Sequence, residues 1–419
     1  MIVSTLVTCL LLSRAAAMSA MAHTPPARVV ICGAGLHGSA LAYYLTSKGH
    51  RDVVVVERHS VAAAASGKGG GFLARDWGAG PTVQLHETSF ALHEKLAAEL
   101  GVESYRRLPV LSVEPGARTA ATRDLCPWLD GDVRQSSVLD QGGGAQVDPR
   151  ELCTKLMDAA LATGGARLEI GTVEGVETRA LDGGESGGGA ARAVTGVRVD
   201  GRVLEADAVA ITMGPWAALA EDWLGITVPI TGVKSTSIVF RSADPERAPV
   251  EPFALFCGED DRFGTHLEVY PRASGEVYLC GIGGSEHVSP ERLRAGEFPP
   301  GAVEPDPARV AAATGAFSAM SKRLGGAPDV TQACMRPCPP DAMPMMGKVG
   351  PVRGAYMSAG HNCWGILWAP VSGLSMAELI MDGAPKCVDL RPFAPGRFMQ
   401  RAAGGRGRRR GAEPVGEQW

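Results

Sequence analysis

The clearest chemical pattern in the chain is the run Gly33-Ala34-Gly35-Leu36-His37-Gly38. Before it stands Val29-Val30-Ile31-Cys32, a short β-branched run of the kind that forms a buried parallel strand. After it, Leu41, Tyr44 and Leu45 share one face of a helical stretch that ends near Gly49. Val53-Val54-Val55-Val56 then reads as a second buried strand, closed by Glu57. A turn of this kind suits a pyrophosphate. Gly33 permits the tight turn, Gly35 lets the backbone approach the phosphates, and Gly38 lets helix and strand pack closely. Leu36 and His37 open the helix, where free N–H groups and the helix dipole favour an anion. Glu57 stands about 20 residues further on, where an acid accepts hydrogen bonds from the adenosine ribose hydroxyls. Its charge disfavours a 2′-phosphate, which argues against NADP, and Arg58 beside it belongs to the same site. The pattern fits a dinucleotide and does not by itself separate FAD from NAD.

Further motifs follow in order. Ala65-Ser66-Gly67-Lys68-Gly69-Gly70-Gly71 is a glycine-rich loop able to lie against a flat ligand, with Ser66, Lys68 and Gly70 as contact candidates. Asp148 followed by Pro149 is a helix start. Arg167 to Ile170 reads as a strand leading through Gly171-Thr172 to Val173, and Val194–Val199 with Val203-Leu204 reads as a hairpin turning at Asp200-Gly201, preceded by an inserted Gly183 to Gly189 loop. Ala208 to Ile211 leads into Thr212-Met213-Gly214-Pro215-Trp216. Gly360-His361-Asn362-Cys363-Trp364-Gly365-Ile366 opens a helix ending near Met381, with Pro370 in its first turns, and Pro392 to Phe398 closes the run.

Taken together from Arg28 to Phe398, these motifs resemble the FAD-dependent D-amino-acid oxidase superfamily, the group that holds glycine oxidase, sarcosine oxidase and D-amino-acid dehydrogenase. The Gly-His-x-x-Trp-Gly-Ile form resembles a branch of that group whose substrates are undefined. Met213, between Thr212 and Gly214, departs slightly from the usual motif. The resemblance implies an α/β fold: a three-layer, Rossmann-like FAD-binding domain and a substrate domain built on a mixed or antiparallel sheet. It implies FAD as cofactor, with Val173 at the adenine and with Gly214, Trp216 and Cys334 also at the cofactor. Gly360, His361, Gly365 and Ile366 fall at the pyrimidine edge of the flavin, where a helix N-terminus stabilises the negative charge of the reduced ring.

Within Cys334-Met335-Arg336-Pro337-Cys338-Pro339-Pro340-Asp341, Arg336 matches the arginine that binds a substrate carboxylate in glycine-oxidase-like members. A guanidinium suits that task because it grips a carboxylate through two parallel hydrogen bonds and stays charged. The other reading of Arg336 is a salt bridge to Asp341 or another core acid. Cys334 has the spacing of the cysteine that bonds the flavin covalently in sarcosine-oxidase-like members, or is an inert buried thiol. His361 either accepts a proton or holds a loop carbonyl near the flavin. The lysine that activates oxygen in some members has no counterpart at Tyr278-Leu279-Cys280-Gly281. Lys68 and Lys234 are the candidates, and the electron acceptor (oxygen, a quinone or a carrier protein) stays open. The reaction implied is oxidation of the C–N bond of an amino acid or related amine, by hydride transfer to flavin N5. Two alternatives stand beside it: an NAD-dependent dehydrogenase, and a flavoprotein whose FAD is structural and which acts as an interaction or trafficking partner.

These motifs divide the chain. Residues 27–107, 144–228 and 330–398 are expected in the FAD-binding domain, and 108–143 and 229–329 in the substrate domain. Within the latter, Ser235 to Phe240 reads as a strand entered after the turn residues Thr231-Gly232. Tyr270 and Glu276 to Cys280 read as further antiparallel strands, and Ala308 to Leu324 as a helix. Residues 1–26, with the apolar run Ile2 to Leu12, are read as a targeting, signal or disordered segment. Residues 399–419, with Arg406, Arg408, Arg409 and Arg410, are read as a disordered basic tail. The composition is that of a globular protein, 45% hydrophobic with a net charge of −4, so no nucleic-acid partner is indicated. No run of about 18 uninterrupted apolar residues predicts a membrane span. The ten cysteines form no CxxC pair and no zinc spacing, so no metal site is expected. Reduced thiols favour an intracellular setting, cytoplasmic or organellar.

Overall fold

The computed structural model describes residues 23–120, 122, 125–181, 191–241, 250–299 and 301–399. Nearly all of the amino-terminal segment, the Gly183 to Gly189 loop and the basic tail therefore lie outside the described residues.

Val29–Cys32 pairs in parallel with Val53–Glu57 on one side and Ala208–Ile211 on the other. Ala166–Ile170 and Ala355–Ala359 extend the sheet in parallel, and Met345–Lys348 adds an antiparallel edge. The β-branched runs are explained by burial on both faces. Val29, Ile31, Val53 and Val55 face a layer of helices, Leu36–Ser47, Pro149–Ala162 and Gly365–Asp382 among them. Val30, Cys32, Val54 and Val56 face an antiparallel layer made by Val173–Ala180, Arg192–Val199 and Arg202–Glu205. This is the expected three-layer arrangement. The hairpin turns where expected, with Asp200 and Gly201 both at positive φ (45° and 75°), as a two-residue turn matched to strand twist requires. Asp148 caps its helix through the amides of Arg150 and Glu151.

The second sheet has eight strands. Thr231–Phe240 is its longest strand, flanked on one edge by Val330–Cys338 and on the other by Glu286–Val288 and Val277–Cys280. Glu268–Pro271, Ala254–Cys257, Val110–Pro115 and Val133–Asp140 follow in order. One pairing, Ala254–Cys257 with Val110–Pro115, is parallel, so the sheet is mixed. Side chains alternate across it. Ile238, Phe240, Val269, Val277 and Leu279 face the helix Pro307–Met320. Ser235, Ser237, Glu268, Tyr270, Tyr278, Cys280, Cys334 and Arg336 face a cavity.

Three expectations need correction. Thr231-Gly232 is no turn: Val330–Cys338 pairs along the strand from Thr231 to Val239 and keeps it extended. By the same pairing, Val330–Cys338 belongs to the substrate sheet, beyond the boundary expected at 329. The helix expected to reach Leu324 stops at Met320, because Ser321 turns extended and bonds the Trp128 carbonyl, while the amides of Lys322 and Arg323 turn to the Asp130 carboxylate.

The Gly365–Asp382 helix is long and apolar enough to cross a membrane, yet most of it is buried against its neighbours. A Cβ at Gly373 would stand 2.6 Å from the Ala40 Cβ, so the two helices cross with almost nothing between them. Pro370 has no N–H to offer the Ile366 carbonyl, and the Val371 N–H donates to Ser89 Oγ at 3.2 Å. His93, on the helix Val83–Leu100, supplies the missing donor: its Nε2 lies 3.1 Å from the Ile366 carbonyl and 3.0 Å from that of Leu367. Burial lowers its pKa to about 4, which keeps the ring neutral. Replacing His93 with Ala should destabilise the fold by about 1–3 kcal/mol, the cost of leaving a buried carbonyl unsatisfied. Denaturant unfolding checks this, and an unchanged midpoint would show that the contact contributes nothing.

Candidate active site

One cavity runs between the two sheets. Its lining brings together Glu57, Arg58 and Val173, then Gly33, Gly35, Leu36, His37, Ser66 and Gly214 of the turns, and Arg336, Glu268 and the Trp364 to Ile366 turn. Each part follows from local geometry. Gly33 takes φ of +103°, and a Cβ there would meet the Thr212 carbonyl at 3.0 Å. A Cβ at Gly38 would lie 1.9 Å from the Gly33 carbonyl oxygen, so only glycine lets the helix start this close to the strand. Thr212 Oγ1 clamps the turn from beneath by donating to the carbonyls of Cys32 (2.8 Å) and Gly33 (3.1 Å). The Glu57 carboxylate is held by two amides, Ala34 N–H on Oε2 (2.9 Å) and His59 N–H on Oε1 (3.0 Å). Ser66 Oγ accepts from the Leu36 amide at 2.9 Å, which ties the glycine-rich loop to the helix N-terminus. A side chain at Gly214 would meet no protein atom within 4 Å and would stand in the space that a ligand needs. Trp216 lines the wall, its indole N–H donating to the Phe298 carbonyl at 2.8 Å.

Three of the expected cofactor contacts do not line the cavity. Gly38 serves the helix–strand packing just described. Gly360 takes φ of +80° beside Pro339 and sets the direction of the loop. Lys68 turns its amine to the Ala333 carbonyl at 3.0 Å, while its own carbonyl accepts from Tyr278 OH and from Gln332, so the residue straps the loop to the substrate sheet. Lys234 is likewise engaged elsewhere, with Glu286 at 3.2 Å.

His361 reaches the cavity but not in the expected way. Its Nε2 lies 3.0 Å from Ser372 Oγ, a hydroxyl on the helix it precedes, and not from a loop carbonyl. Its ring stacks on His37 with centroids 3.6 Å apart and planes at 17°. Burial, with the neighbouring His37 adding to it, pushes the His361 pKa well below the histidine range, which opposes a role as proton acceptor. His37 is lowered to about 3 by burial, partly offset by its hydrogen bond to the Gly365 backbone. The neutral pair joins the phosphate turn to the start of the second helix.

Arg336 is not paired with Asp341, the acid named for it from the sequence. Asp341 is taken by Arg397, at 2.8 Å. Arg336 instead donates through Nη1 to Asn362 Oδ1 (3.2 Å) and through Nε to Ser235 Oγ (3.4 Å), with the guanidinium at the cavity. Asn362 holds positive φ (49°), a conformation that asparagine tolerates better than most residues. It also accepts from the Cys338 thiol at 3.0 Å. Cys334 lines the cavity, and burial raises its pKa despite the nearby charges of Arg336 and Lys68, which keeps it a thiol. Residues not placed at the site from the sequence complete the wall: Phe72, Trp77, Phe256, Tyr270, read from the sequence only as part of a strand, and Glu268. For Phe256, Glu268 and Tyr270 the signal was alternation along short strands, visible only once the cavity-facing side of the sheet is known, whereas Trp77 lies outside any strand.

A family model described as FAD dependent oxidoreductase matches residues 28–379. The uncharacterized oxidoreductase YurR of Bacillus subtilis is 25% identical over 409 residues, covering 87% of this chain and 98% of that protein. The glycine oxidase of Geobacillus kaustophilus is 25% identical over 398 residues, covering 87% and 96%. Its crystal structure superposes with a TM-score of 0.69 at 20% identity, covering 88% of this chain and 98% of that one.

The buried histidines set an acid limit. Unfolded histidine titrates near 6.5, whereas folded His37 and His93 titrate near 3 and 4. Below about pH 6.5 the unfolded chain therefore binds more protons, and each such group costs about 1.4 kcal/mol of stability per pH unit until its folded pKa is reached. Unfolding midpoints should fall between pH 6.5 and 4, and His37→Asn should flatten that slope. An unaltered slope in the variant would contradict the assignment.

Proposed function

From the premise that this chain belongs to the FAD-dependent oxidoreductase family, we propose that it oxidises the C–N bond of an amino acid or related amine. The observation that carries the substrate class is Arg336: a cation aimed into the cavity from the substrate sheet and held there by Asn362 and Ser235. The name of the glycine oxidase relative agrees with it. The nicotinamide alternative falls with the family match.

The cavity fits FAD. The glycine turn and the open space at Gly214 suit a pyrophosphate, and Glu57 suits the adenosine ribose. Held there by the glycine turn, Gly214 and Glu57, FAD would supply the two-electron oxidant, with flavin N5 as the hydride acceptor. This chain's residues do the rest. Arg336 fixes the carboxylate by two parallel hydrogen bonds and so orients the C–H bond that is to be broken. Phe72, Trp77, Phe256 and Tyr270 exclude water. The helix that begins at Gly365 turns its N-terminal amides toward the same space, where they favour negative charge. His361 is committed to Ser372 with its pKa pushed below the histidine range, which opposes taking a proton from the substrate, and no side-chain base is needed when the amine binds in its neutral form.

Anaerobic mixing of the FAD-loaded protein with amino acids of both hands tests this. At least one should bleach the visible flavin band, and Arg336→Ala should raise the half-saturating concentration about a hundredfold. If no amine, imino acid or hydroxy acid bleaches the flavin, the reading in which FAD is structural replaces this one.

A further inference from the structure

The substrate wall holds a second charge that the reaction does not use. Glu268 lies on the same face of the sheet as Arg336 and lines the same cavity. Its Oε2 is anchored by the Tyr270 hydroxyl and by the Cys280 thiol, at 3.3 Å for the latter. Among the described residues its Oε1 has no hydrogen bond and no Lys or Arg forms an ion pair with Glu268. The residues about it are Tyr270, Tyr278 and Phe256, rings that solvate a carboxylate poorly but attract a cation. A half-buried carboxylate in such a wall is costly unless a positive partner arrives.

The sheet register places the two charges. Glu268 pairs with Cys280, and continuing the pairing of Leu279 with Ile238 by one residue sets Cys280 opposite Ser237. Arg336 is anchored two residues along, at Ser235. With about 4.8 Å between strands and about 3.3 Å per residue, the two anchor points lie about 8 Å apart. Cys280 feels both groups: burial and the Glu268 charge raise its pKa, and Arg336 draws it down. An α-ammonium sits within about 4 Å of its own carboxylate, too near to reach both.

We propose that Glu268 binds a second, cationic group of the substrate, so that the preferred substrates are amino acids with a positively charged amine or guanidinium at the far end of the side chain. The proposal rests on Arg336 as the carboxylate anchor. Glu268 then selects the substrate by charge and reach, and an apolar side chain of equal length leaves it unpaired in the wall.

The test uses the FAD-loaded full chain and two probes, caproate and ε-aminocaproate, which share a chain length and differ by a distal ammonium. Binding is read from the visible difference spectrum of the flavin and from calorimetry. Wild-type protein should bind ε-aminocaproate at least about tenfold more tightly than caproate, as a partly desolvated ion pair requires. Glu268→Gln, which keeps the acceptor for Tyr270 and Cys280, should abolish that preference and leave caproate binding in place. Equal binding of the two probes by wild-type protein overturns the proposal and leaves Arg336 as the carboxylate anchor. If neither probe binds, the Arg336 assignment fails and takes the proposal with it. The wild-type comparison decides even if the variant does not fold.

Discussion

Two helices meet at Gly373 and Ala40 with almost no side-chain volume between them, and much else depends on that contact. It brings the start of one helix, at Leu36, beside the start of the other, at Gly365. Both starts therefore face one cavity, and their unsatisfied amides turn that space toward negative charge. The stacked pair His37 and His361 sits between them, neutral because water is excluded. Pro370 removes one hydrogen bond from the second helix just after its start, and Ser89 and His93 repair the gap from a third helix. The positions of the helix ends are thus fixed by packing and hydrogen bonds that never touch a ligand.

The two sheets divide the work differently. The parallel sheet is buried on both faces and acts as a support, and the ends of its strands, at the glycine turn, Glu57 and Thr212, reach the cavity. The eight-stranded sheet gives one face to a core beneath the helix Pro307–Met320 and the other to the substrate end. Alternation along each strand keeps the two roles apart, so Ile238 and Ser237 are neighbours in the chain and serve opposite sides. The strap from Lys68 to Ala333, Tyr278 and Gln332 ties the flexible-looking glycine loop to that sheet and fixes the width of the cavity.

What the sequence disclosed was local chemistry. The turn at Gly33 to Gly38, the acid at Glu57, the cap at Asp148 and the hairpin at Asp200-Gly201 each require particular residues, and each stands where expected. What it hid depended on distant partners. Thr231-Gly232 carries turn composition but lies in a strand, because its pairing partner comes some hundred residues later, at Pro337-Cys338. Lys68 lies in the right loop, but only the tertiary structure shows its amine turned to a carbonyl. His361 was legible as a residue of the site and illegible in its role, since Ser372 and His37 had to be brought to it first. Glu268 had no motif to announce it, for a carboxylate in a short strand ordinarily faces water.

The interleaving of the two sheets has a consequence for how the protein is made. Val110–Pro115 waits for Ala254–Cys257, and Thr231–Phe240 waits for Val330–Cys338. Ala208–Ile211 in turn stays an unpaired edge until Ala355–Ala359 appears. Contacts this far apart in sequence close slowly. On the ribosome, neither sheet completes until nearly all of the described chain has emerged, and the second helix of the cavity emerges last of all. A nascent chain therefore carries a glycine turn long before it carries a cavity, with exposed strand edges in the interval that invite wrong partners.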